Sequence, residues 1–172
     1  MKKYFTKYEF RWAFIILLLS LLWTAFEYEM GWHDQDYKMH RYLTFLFIIP
    51  LTLGYILFIL DKRAHRYKKR FKFKHAFNSA MGLTILIALF TIPIQFLIHY
   101  YISPDYLETA KSYSITQGEM TETQARDIYT IKNYVILFPL LYLFFGIFLS
   151  IVLGLTLNRD SRKTRAKSRS RR

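Results

Sequence analysis

Asp61-Lys-Arg-Ala-His-Arg-Tyr-Lys-Lys-Arg-Phe-Lys-Phe-Lys-His75 sets eight lysines and arginines between two long apolar runs. The run before it, Tyr42–Leu60, is 19 residues without a charge, and the run after it is Ala76–Ile98. A helix rising about 1.5 Å per residue needs about 20 apolar residues to cross a hydrocarbon core of about 30 Å. Both runs meet that length. The charge that a soluble helix would spread along one face is instead collected in the hinge between them.

Two more runs have the same character. Trp12–Phe26, extended by Phe10 and Tyr28, is entered through Lys2, Lys3, Lys7 and Arg11, and Tyr134–Leu157 lies near the other end. Tyr4, Phe5, Tyr8 and Trp12 form an aromatic belt of the kind found at membrane interfaces. A basic entry followed by an apolar core also describes a signal peptide, but Thr24-Ala-Phe-Glu-Tyr-Glu29 has no small-x-small cleavage site, so a retained anchor is expected. The fold class is therefore an all-α membrane protein. One transmembrane domain over residues 1–157 has four helices spanning about 12–28, 42–60, 76–98 and 134–157. The chain has no cysteine, which removes disulfides and thiolate chemistry.

Net charge is +13, and its distribution sets the expected orientation. The N-terminal segment, the 61–75 loop and the 158–172 tail together hold twenty Lys/Arg against three acids, Glu9, Asp61 and Asp160. The two other connections hold five basic residues (Lys38, Arg41, Lys111, Arg126, Lys132) and nine acids. By the positive-inside rule both termini are cytoplasmic, N-in and C-in, in a bacterial inner membrane. Lys62, Arg63, Arg66, Lys68, Lys69, Arg70, Lys72 and Lys74 are read as contacts to anionic lipid headgroups, at about 1 kcal/mol each near the surface. Nucleic acid is not an expected partner, because no aromatic stacking platform accompanies the basic tail, which is expected to be disordered.

The outer segment 99–133 carries helix signals of its own. Ser103-Pro104 resembles an N-cap with Pro at the first helical position. Tyr106, Leu107, Ala110 and Tyr113 then form an apolar stripe beside Asp105, Glu108 and Lys111, which predicts a short amphipathic helix on the membrane surface, ended by Gly118. Thr121-x-x-Gln124 is a capping box, read as starting a helix that continues straight into the fourth span. Pro139 is expected to kink that span, and Pro50 and Pro93 read as simple kinks in theirs.

Candidate sites are few. Ala80, Thr84, Ala88, Thr91, Gln95 and His99 share one stripe of the third span, and Ala13, Ser20, Thr24 and Glu27 one stripe of the first. Both grow more polar toward the outer surface, so Glu27, Arg41, Gln95 and His99 form a candidate polar pocket. The competing reading, residues at span ends reaching water, is favoured. His33, Asp34, Asp36 and His40 are metal-ligating residue types in no compact motif, and are read as a solvated loop without metal. Gly146, Ser150 and Gly154, four residues apart, form a small-residue seam for a helix contact, within the bundle in preference to between copies. No Ser/His/Asp order, Gly-rich phosphate loop or intramembrane carboxylate pair is present, so no catalytic residue and no cofactor is assigned.

Several short motifs carry a resemblance: Gly31-Trp-His-Asp34, Tyr42-Leu-Thr44, Phe47-x-x-Pro50, Lys74-His-Ala-Phe77 with Gly82, Ile102-Ser-Pro-Asp-Tyr106, Gly118-Glu-Met-Thr-Glu-Thr-Gln-Ala125, and Tyr134 leading to Gly146-Ile-Phe-Leu-Ser150. From Phe10 to Arg159 the chain resembles a bacterial membrane family known as domain of unknown function 4199. The resemblance implies four helices with a long outer segment before the last, and no activity. The expected role is a non-enzymatic accessory or scaffold subunit, with a membrane protein or a second copy as partner. The alternative is a small transporter or lipid-carrier flippase using the outward pocket.

Overall fold

The computed structural model describes residues 5–67 and 72–169. Among these residues all regular structure is helical. Four helical stretches, Lys7–Glu29, Tyr37–Tyr67, Phe73–Ile102 and Ile131–Thr156, are long and apolar enough to cross a membrane. This is the composition of an integral membrane protein, whose backbone polar groups must be satisfied inside each helix where no water can reach them.

Helix α1, Lys7–Glu29, starts at a capping box in which Glu9 accepts from the Thr6 backbone at 3.0 Å. It ends in a Schellman turn. Gly31, at φ 73°, lets Trp32 N–H reach the Glu27 carbonyl at 3.0 Å and Gly31 N–H the Tyr28 carbonyl at 2.9 Å. The second span is composite: α2, Tyr37–Leu43, a 3-10 turn at Thr44–Phe47, and α3, Ile48–Lys62. Pro50 lacks an N–H, so the helical ladder cannot close back onto Leu46 there. Helix α4, Phe73–Leu97, is the centre of the molecule, with half of its apolar window buried against 17% for the last span.

The core joins Ala13 and Ile16 of α1, Tyr55 and Phe58 of α3, Ala80, Leu83 and Ile87 of α4, and Leu149 and Leu153 of the last helix. That last helix, α7, is continuous from Ile131 to Arg169 and runs along α4. Its seam faces inward: a Cβ built on Gly146 would overlap the Thr84 side chain, one on Gly154 would sit 2.7 Å from the Phe73 ring, and Ser150 is buried. The backbone of the tail thus extends the helix past 157 to Arg169 instead of leaving it. Residues 170–172 lie outside the described residues.

At the hinge end, α1 and α3 are joined by polar contacts. Lys62 is ion-paired with Glu9, with the two side chains 3% and 0% exposed, and Arg11 and Trp12 both bond Asp61, at 2.5 and 2.9 Å. Lys62 therefore does not face headgroups as expected from its place in the basic loop. Its position on the inward side of α3, opposite Glu9, removes it from that set. Lys68, Lys69 and Arg70 lie outside the described residues.

At the other end, Pro104 and Asp105 form a turn and α5 runs Tyr106–Thr116, so the helix starts two residues later than the Ser-Pro signal suggested. Gly118, at φ 69°, closes it with a second Schellman turn. The Thr121–Gln124 box caps α6, Glu122–Ile128, but this helix does not continue into the last span. Tyr129 leaves helical geometry and hydrogen-bonds Ser114 at 2.6 Å. The Asn133 amide then donates to the Asp127 and Ile128 carbonyls, while Thr130 Oγ1 accepts from Asn133 N–H. Those bonds satisfy the end of one helix and the start of the next, so the break is stable.

Candidate functional site

The α5 end of the bundle encloses a cavity of about 420 Å³ between α1, the α2–α3 stretch, α4 and α7. Its body is apolar, lined by Phe47, Leu51, Ile94, Phe138 and Phe145 among others. Its polar end is built by Glu27, His33, His40, Gln95, His99 and Tyr106. A volume in the range of small-molecule sites, with an apolar lining and a few convergent polar groups, is the usual form of a binding pocket.

Three of the four residues expected of a polar pocket, Glu27, Gln95 and His99, line this cavity and are no more than 4% exposed. Arg41 does not. It follows His40 on α2, and at about 100° per residue the two cannot share a face. Arg41 turns away and pairs with Glu119 at 2.5 Å, over the Tyr113 ring, joining α2 to the α5–α6 turn.

The solvated-loop reading fails for two of its four residues. Asp34 and Asp36 are exposed, but His33 is 4% exposed and the His40 side chain 15%. The cause is the Schellman turn. Gly31 reverses the chain over the last turn of α1, and Asp36 N–H closes back on the Gly31 carbonyl at 2.9 Å, so His33 returns onto Glu27. Helix α2 then delivers His40 from its inner face. Spacing rules for a single helix miss this pair because a turn separates its members. The signal in the sequence is Glu27-x-x-x-Gly31-x-His33, a carboxylate and an imidazole flanking a C-cap glycine.

The geometry around Glu27 is compact. Oε2 lies 3.5 Å from His33 Nε2 and 3.4 Å from His40 Nδ1, and Oε1 accepts from Trp23 Nε1 at 2.8 Å. His40 Nε2 is bonded to the Tyr106 hydroxyl at 3.0 Å. The two imidazoles meet at 87° with centroids 4.9 Å apart. His99 is packed against Tyr134 at 5.3 Å and Tyr106 at 5.9 Å, and neither of its ring nitrogens has a hydrogen-bond partner among the described residues. Buried polar atoms of this kind are ordinarily paired, so His99 offers a donor and an acceptor to whatever occupies the cavity.

Tyr106 closes this end. It is 9% exposed, packs with Tyr37 and Tyr134, and burial pushes its phenol well above the ordinary tyrosine value. Its hydroxyl therefore stays protonated and hydrogen-bonding throughout the neutral range. Helix α5 faces the cavity with Tyr106 and buries Ala110 and Ser114.

No curated protein and no solved structure matches the chain at a significant level. One family pattern does match, over residues 11–159 and hence most of the chain, a range that takes in the Gly31 turn and the Ile102–Tyr106 entry to α5 that shape the cavity. This protein belongs to the family described as Protein of unknown function (DUF4199).

Proposed function

We propose that this integral membrane protein takes an amphiphilic molecule of the bilayer into the α1–α4–α7 cavity, acting as a binder or carrier and not as an enzyme. One observation carries the reading. Phe45 and Phe144 line the cavity yet are 66% and 78% exposed on the outside of the bundle. Helix α3 makes little contact with α7, so the cavity has a lateral opening edged by side chains that face the acyl chains. An acyl or isoprenoid chain suits the apolar body, and a polar head suits Gln95 and His99. Gly146, Ser150 and Gly154 pack inside the bundle and so leave no small-residue surface there for a partner subunit.

The remaining features accord with a bacterial inner-membrane setting. Both termini and the 61–75 loop are placed in the cytoplasm by charge, Arg63, Arg66, Lys72 and Lys74 meet anionic headgroups, and α5 lies at the outer surface over the cavity mouth. The absence of native cysteine makes this topology easy to check. A membrane-impermeant thiol reagent on intact cells should label Gln117→Cys and spare His65→Cys. The reverse pattern would invert the orientation.

The binding reading is tested by mass spectrometry of lipids retained by the protein in nanodiscs. Thr91→Phe puts a ring into the cavity from α4, where Thr91 is 1% exposed. Removing the polar head's partners with Gln95→Leu and His99→Leu should weaken retention about tenfold per lost hydrogen bond. We expect Thr91→Phe to abolish retention of a specific lipid that the wild type keeps, with helix content unchanged. An identical lipid complement in wild type and Thr91→Phe would overturn the proposal.

A further inference from the structure

The geometry points to a divalent transition-metal site formed by Glu27, His33 and His40 at the polar end of the cavity. One donor atom from each residue lies within 4.8 Å of the other two. Two of the separations are 3.4 and 3.5 Å, from Glu27 Oε2 to His40 Nδ1 and to His33 Nε2. Bonds of about 2.0–2.1 Å from a tetrahedral ion to its ligands put those ligands about 3.3–3.4 Å apart. The two edges from Glu27 thus already have the length such a site requires, and the third, between the imidazoles, lies within 4.8 Å.

The surroundings resemble the supporting shell of a metal centre. Glu27 is held through its other oxygen by Trp23 Nε1, and His40 is held through its other nitrogen by the Tyr106 hydroxyl. Fixing the far side of each ligand aims the near side and sets the tautomer. With His40 Nε2–H donating to Tyr106, its Nδ1 lone pair faces Glu27, and this Nδ1 is buried with no hydrogen bond among the described residues. Two imidazoles and one carboxylate favour Zn²⁺, Co²⁺ or Fe²⁺ over Mg²⁺ and Ca²⁺, which prefer all-oxygen sets. Three protein ligands leave a fourth position, and since all three residues line the cavity that position opens into it. His99, whose ring nitrogens have no hydrogen-bond partner among the described residues, lines the same space. The inference rests on donor spacing, burial and the outer hydrogen bonds, and stands whether or not an amphiphile enters.

The test uses the untagged full chain in nanodiscs, titrated with Co²⁺ followed by visible absorption and with Zn²⁺ followed by elemental analysis after desalting. The expected result is about one Zn²⁺ retained per chain in the presence of excess Mg²⁺ and Ca²⁺, and a Co²⁺ spectrum of low coordination number. Glu27→Gln, His33→Ala and His40→Ala should each lower affinity by about 100-fold or more. Tyr106→Phe, which keeps the ring and removes only the outer hydrogen bond, should lower it about 10–100-fold. His65→Ala, an exposed histidine at the opposite end, should bind as wild type. Bound Zn²⁺ should also raise the melting temperature of the wild type and not of Glu27→Gln. Less than about a tenth of an equivalent in the wild type would overturn the site, leaving a buried acid–imidazole cluster. So would undiminished binding by His33→Ala and His40→Ala.

Discussion

Lys62→Met should destabilise the protein by about 3–5 kcal/mol, although it replaces a charge with an apolar side chain in a largely apolar molecule. The reason lies in the residue left behind. Glu9 is 0% exposed, and Lys62 is its ion-pair partner across the α1–α3 contact. Without Lys62 the carboxylate stays buried with no opposite charge beside it, because the helices that bury it are held elsewhere by Arg11, Trp12 and Asp61. The companion variant Glu9→Gln/Lys62→Met should recover most of the loss, since an amide needs no counter-charge and can still accept from the Thr6 backbone as Glu9 does. Reversible unfolding in mild detergent reads both. A Lys62→Met penalty below about 1 kcal/mol would mean that the pair is hydrated and that α1 and α3 are joined by packing alone.

The second large effect is expected at Gly146. A Cβ there overlaps Thr84, and Thr84 is pinned by hydrogen bonds to the Tyr55 hydroxyl and the Ala80 carbonyl, both at 2.9 Å. The threonine cannot move aside without breaking a buried bond, so Gly146→Leu must push α7 away from α4. Overpacking at a rigid contact costs about 3 kcal/mol or more at the upper end of its usual range. Gly154→Leu should be milder, about 1 kcal/mol, because the obstructing atoms belong to the Phe73 ring at the start of α4. Thermal melting of the two variants gives the comparison, and Thr84→Ala in the Gly146→Leu background should restore part of the loss. Equal and negligible shifts would place the seam outside the bundle, and a change of oligomeric state without loss of stability would assign it to a contact between copies.

Of the residues singled out as a pocket, Glu27, Gln95 and His99 were legible because each ends or punctuates a polar stripe whose 3.6-residue period a reader can follow along one helix. Arg41 was misplaced because its height along the bundle can be read from sequence while its facing cannot, until His40 takes the inner side of α2. The meeting of His33 and His40 is hidden in the sequence for the complementary reason. Their meeting depends on a glycine turn and a short second helix, and no single period runs through both. The break between α6 and α7 is not legible because it rests on Asn133 and Tyr129 bonding backwards to groups five to fifteen positions away, against a capping signal that favours a continuous helix.

What the sequence by itself determined is the number and apolar character of the four spans. Those follow from free energies of transfer that each residue contributes locally, and charge segregation is visible in one dimension. What only the tertiary structure decided is the inward pairing of Lys62 with Glu9, the use of Gly146 against Thr84, and the gathering of Glu27, His33 and His40 around one point. These depend on which face each helix turns toward its neighbours. In a lipid-facing helix that choice is set by close packing and buried hydrogen bonds between distant segments, because apolar side chains are solvated by lipid on one side about as well as by protein on the other.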